Sequence, residues 1–77
     1  MEKEQIKIYL ERMHKYYAES AIEYTKDYNQ YKDYKESKLT QFYSKKTTEY
    51  TNKADAILNV IEFINEAELR IKELLNN

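Results

Sequence analysis

Glu11 and His14 stand three residues apart, the Glu-x-x-His spacing with which one helix offers a carboxylate and an imidazole to a di-iron centre. His14 is the chain's one histidine, so the other half of such a centre could come only from a second copy. There is no cysteine to act as nucleophile or thiolate ligand. A Ser–His pair would lack the glycine-rich elbow that exposes a nucleophile, because the chain has no glycine. Phosphate-cradling loops are excluded for the same reason. Glu62, Glu66 and Glu73 fall on the polar side of a helix near Arg70 and Lys72, which is the pattern of a solvated face. The expectation is a protein that is not an enzyme, with no catalytic residues, no cofactor and no metal.

The second candidate chemistry is aromatic and basic. The segment EYTKDYNQYKDYKESK, Glu23 to Lys38, spaces four of the chain's nine tyrosines by four, three and three residues. Residues 26–53 carry seven lysines against Asp27, Asp33, Glu36 and Glu49, whereas both flanks are net acidic. Lysines could neutralise phosphates while rings stack on bases, with Lys32, Lys35, Lys38, Lys45 and Lys46 as the patch. The segment has no arginine, the usual reader of base edges, and its acids are interspersed. A protein partner is therefore favoured over nucleic acid. Tyrosine is enriched in interface cores, and Tyr9, Tyr16, Tyr34, Tyr43 and Tyr50 are the candidate partner-binding residues.

All these residues must be positioned by helices. The chain is 77 residues long and has neither glycine nor proline, the main suppliers of tight turns. Helix formers fill both ends, so the class is all-α, in one domain spanning 1–77. At 100° per residue, Ile6, Leu10, Met13, Tyr17, Ala21, Tyr24, Tyr28 and Tyr31 fall in a stripe roughly 80° wide, which continues to Leu39 and Phe42. Only Lys35 interrupts it. Tyr9, Tyr16 and Tyr34 line one flank of the stripe, and Ile8 and Ile22 face away. This predicts a first helix over about 3–43. Ser and Thr concentrate between Ser37 and Lys53 and favour caps and turns, which places the turn at 44–48. A second helix is predicted over about 48–75, centred on Ile57, Ile61, Ile64, Ile71 and Leu75. Its apolar arc exceeds the roughly 100° that one neighbour needs.

The expected architecture is a long antiparallel helical hairpin in which position i faces about 92 − i. The second helix then ends opposite residue 15, and Ile6, Leu10 and Met13 overhang. A second copy can cover them in a dimeric helical bundle, a coiled-coil-like homodimer. Ile6, Leu10, Met13, Phe63 and Leu74 are the candidate self-association residues. Alternatively the first helix breaks at 19–20, where Ser20 and Glu23 match a capping box, to make a three-helix bundle. The same register sets Glu68 opposite Tyr24. Chains below ~80 residues rarely hold themselves by one core alone, which favours association.

Charge is nearly balanced, 13 basic against 14 acidic side chains. That argues against whole-molecule attraction to nucleic acid or membrane. The opening MEKEQIKIYLERMH is charged throughout and is not expected to be a signal peptide. No run approaches the ~18 apolar residues of a membrane span. A cytoplasmic location, host cytoplasm for a viral protein, is the expectation. The bias towards Lys, Ile, Asn and Tyr is that of AT-rich coding, in a low-GC bacterium or its phages and plasmids, or an archaeal virus. Size, composition and the lack of catalytic equipment resemble those of the small accessory proteins of phages and mobile elements, many of which bind and inhibit one host protein; no motif carries the likeness. The functional expectation is a non-enzymatic helical protein-interaction module of that anti-defence kind. The alternatives are a nucleic-acid binder using 26–53 and a self-assembling scaffold.

Overall fold

The computed structural model describes residues 2–33 and 37–76, with the Ser37 side chain excepted. Two helices, α1 (Lys3–Tyr31) and α2 (Ser37–Leu75), make an antiparallel hairpin. Both follow from a backbone without glycine or proline, and no described residue takes a positive φ. At the start of α1 the chain enters extended at Glu2, and the Gln5 side chain accepts a hydrogen bond from the Glu2 N–H at 3.3 Å. This satisfies a donor just outside the helix, as in one arm of a capping box. At the other end the Lys32 N–H donates to the Tyr28 carbonyl at 2.8 Å. The Thr40 hydroxyl, from α2, donates to the Tyr31 carbonyl at 3.1 Å. One of the carbonyls that a helix end leaves without an intrahelical donor is thus capped by the opposite helix.

The ring contacts set the register. Tyr31 stacks on Tyr43 with centroids 5.7 Å apart, Tyr24 lies 5.3 Å from Tyr50 and 6.4 Å from Tyr43, and Tyr17 lies 5.9 Å from Tyr50. At the far end the Lys7 ammonium donates to the Glu68 carboxylate at 2.7 Å. The molecule is a rod, 64 × 21 × 13 Å, with a radius of gyration of 17.9 Å. A globular chain of this length would have a radius of gyration of about 11.5 Å.

The hairpin is the expected fold, but its helix limits differ from those read in the sequence. The chain reverses between Tyr31 and Ser37, and Ser44, Thr47 and Thr48 lie inside α2. Reversal at 44–48 would have left fourteen or so residues of the first helix unpaired. The earlier reversal folds Tyr31 onto Tyr43 and brings the first turns of α1 level with Glu68, so Ile6, Leu10 and Met13 do not overhang. Lys35, the one charge in the apolar stripe, lies outside the described residues. The preference of Ser and Thr for caps is worth only tenths of a kcal/mol per residue and does not break α2 at 44–48. The cost is visible at Thr47, whose shielded hydroxyl has no hydrogen-bond partner. α1 runs unbroken through residues 19–20, so the three-helix alternative does not form. Glu68 meets Lys7 and Lys3 rather than Tyr24.

Candidate protein-binding face

The seam between the helices is thin. Ala54 is the one buried residue among those described, at 6% exposure. The rest of the seam is half-buried: Leu10, Met13, Tyr17, Tyr24, Tyr28 and Tyr31 on α1 meet Tyr43, Tyr50, Ile57, Ile61 and Ile64 on α2. Ile6 borders it at 39% exposure. The tyrosine comb is thus mainly the inner surface of the hairpin. Tyr43 and Tyr50, read as partner-binding residues, are engaged with Tyr31, Tyr24 and Tyr17. Ile6, Leu10 and Met13, read as self-association residues, lie along α1's side of this seam. Tyr34, like Lys35, lies outside the described residues.

Ring contacts of this kind, three tilted and one stacked across the seam among the described residues, add ~1 kcal/mol each beyond area burial, so the ladder holds the turn half together where aliphatic residues are sparse. The other half is aliphatic on the inside, and ionic at its end. Lys7 and Lys3 converge on Glu68 at 2.7 and 3.3 Å. The hydrogen bond from Lys7 holds the Glu68 carboxyl below its ordinary range, against the opposing effect of desolvation, and Lys3 pushes the same way. The Lys3 ammonium meets Oε1 as an ion pair without hydrogen-bond geometry, since Oε1 accepts no hydrogen bond. Lys7 is raised in turn by its bond to Glu68.

A second apolar stripe stands outside the seam. On α2, Ala56, Val60, Phe63, Ala67, Ile71 and Leu74 recur at spacings of four and three, turned about 100° from the residues that face α1. On α1, Tyr9 and Tyr16 are turned by about the same angle in the same sense. In an antiparallel pair, rotation in one sense carries both helices' stripes to the same broad side. The register puts Tyr9 level with Phe63 and Tyr16 level with Ala56. These residues are open to solvent: Tyr9 60%, Tyr16 61%, Phe63 70% and Leu74 75% exposed. The structure therefore brings Tyr9 and Tyr16 together with Phe63 and Leu74, which the sequence had assigned to separate roles. It adds Val60 and also Ile71, which the sequence had placed at the centre of the α2 arc, at 43% and 56% exposure.

Towards the turn the same side becomes charged, with Glu23 and Asp27 on α1 and Lys45, Lys46, Glu49 and Lys53 on α2. Here the basic patch is partly neutralised. Glu49 pairs with Lys46 at 3.3 Å and with Lys53 at 3.4 Å. Hydrogen bonds from Lys46 and then Lys53 hold its carboxyl low, and Lys53 is raised by the same contact. Lys46 also lies 5.8 Å from the Phe42 ring centroid, and Lys53 4.9 Å from that of Tyr50. Lys32, Lys38 and Lys45 are exposed. Lys46 and Lys53 are thus engaged with Glu49 and with the Phe42 and Tyr50 rings.

Elsewhere the surface is open. Shallow depressions beside Tyr9 (Gln5, Ile8, Arg12) and beside Tyr16 (Glu19, Ser20, Glu23, Tyr24) are each lined by α1 alone. His14 is half-buried at the edge of the seam and Glu11 is exposed. Among the described residues no three His, Cys, Asp or Glu side chains converge as metal ligands, and no helix is long and apolar enough to cross a membrane. No family model, curated protein or solved structure matches the chain.

Proposed function

We propose that this protein is a non-enzymatic helical interaction module that works by docking the side bearing Tyr9, Tyr16, Phe63 and Leu74 against protein. One observation carries the reading: the hairpin buries only Ala54 among its described residues while large apolar side chains stay exposed in a continuous stripe. An exposed patch of this extent marks a protein or membrane contact on a soluble chain. Near-neutral charge and aromatic anchors favour protein. An accessory protein of a phage or mobile element that blocks a host protein is one form such a module takes.

The test is capture on tagged, immobilised chain, offered both untagged chain and lysate of a low-GC bacterium. Protein, whether further copies or another species, should be retained in 200 mM salt and lost with Phe63→Glu. Retention of nucleic acid in place of protein, weakened steeply by salt and abolished by Lys32→Glu with Lys45→Glu and Lys46→Glu, would replace this reading with phosphate binding.

A further inference from the structure

We infer that the occupant of the open apolar side is a second copy of this chain, docked through the open ends of the two hairpins to close a four-helix bundle. The inference rests on the protein-binding reading of that side and names its partner.

Three observations point to a copy. The first is the angle between the seams. Each helix of a four-helix bundle packs two adjacent neighbours, so it needs two apolar stripes about a quarter-turn apart. α2 has them, one through Ile57, Ile61 and Ile64 towards α1 and one through Val60, Phe63 and Ala67 outward. α1 has the matching pair, with Tyr9 and Tyr16 as its outer stripe, on the same side of the hairpin. A hairpin complete in itself needs one stripe per helix.

The second is area. The chain exposes 6509 Å² at 9.4 kDa. A compact monomer of that mass exposes about 5,000 Å². A standard interface hides ~800 Å² per partner, so the excess of about 1,500 Å² is enough to build a dimer on. A net charge of −1 sets little repulsion between copies.

The third is where the stripe stops. Apolar residues run along this side up to Tyr16 on α1 and from Ala56 onward on α2. Beyond them stand Glu23, Asp27, Lys45 and Glu49; towards the turn Phe42 stands alone as an apolar side chain among the described residues, 49% exposed, with the Lys46 ammonium 5.8 Å from its ring centroid. The contiguous apolar surface therefore lies at the open ends, and copies overlapping there cover it. There the rings of Tyr9, Tyr16 and Phe63 can pack beside the small side chains of Ala56 and Ala67.

Sedimentation equilibrium of the full chain across 1–100 µM tests this, with helix content followed by circular dichroism. The expected result is twice the 9.4 kDa chain mass for the natural protein. Phe63→Glu should weaken the dimer about 1,000-fold, because a two-fold axis places the substitution twice in one interface. Ile22→Glu, at a residue also open, 55% exposed, but turned to the other side of α1, should leave the dimer intact. A helical natural chain that stays monomeric at 100 µM overturns the inference, as does a dimer indifferent to Phe63→Glu. In the monomeric case, binding of the dye ANS that Phe63→Glu removes overturns the second copy alone. A monomer that binds no ANS overturns the protein-binding reading as well.

Discussion

Tyr24 sits between Tyr43 and Tyr50, 6.4 and 5.3 Å away, and it shows what tyrosine does in this chain. A ring wide enough to span a two-helix seam can be half-buried while its hydroxyl stays at the edge in water. A seam with one buried residue has no deep interior, so a side chain with a wet end costs little there. Glu68 is the counterpart at the open end, a charge set in the apolar stripe and held by Lys7 and Lys3. Its folded pKa lies below its ordinary value of 4.5, as does that of Glu49. Stability from these pairs is therefore fully present above pH 4.5 and is lost as pH falls through the lower folded value. Lys7 and Lys53 are raised above 10.5, so their share is present below that pH and lost above it. Thermal melts from pH 7 to pH 3 should show a falling melting temperature with a smaller fall in Glu68→Gln. An equal fall in both would mean that Glu68 contributes nothing to the acid dependence.

At the scale of the elements, the two helices are held by their spacing. Ala54 is the one buried residue among those described, and a larger side chain there would push the helices apart. Ala54→Leu should destabilise the hairpin by about 1–3 kcal/mol, the usual cost of overpacking. Urea unfolding followed at 222 nm measures it, and an unchanged midpoint would show that the seam is looser than this geometry. The turn is secured by Thr40 on the Tyr31 carbonyl as well as by the stacked rings beyond it. Helix existence was legible from the 4,3 spacing running from Ile6 to Tyr31, and the end of α2 from the last apolar residues at Leu74 and Leu75. The turn was not legible in the Ser/Thr run: local propensity is weak, and ring pairing across the hairpin outweighs it.

For the whole molecule, the rod buries too little of itself to be explained by its own seam. If a second copy supplies the missing cover, unfolding is coupled to dissociation and the melting temperature depends on concentration. Each tenfold dilution should lower it by about 4 °C, from the ~1.4 kcal/mol of mass action divided by the unfolding entropy of two chains of this length. A melting temperature constant from 2 to 200 µM would place all the stability within one hairpin.

Composition together with apolar spacing determined the fold class. A backbone with no glycine, no proline and a 3.6-residue apolar period has no other regular structure open to it. The width of the apolar arc on α2 also showed that more than one neighbour was wanted. Which side stayed open was decided only by the tertiary structure. A shift of the reversal point by some twelve residues changes what every side chain faces, moving Ile6, Leu10 and Met13 into the seam and setting Tyr9, Tyr16 and Phe63 level on one side. Register is a property of the two helices together, set by which rings and ions can meet across the seam, and no residue carries that information by itself.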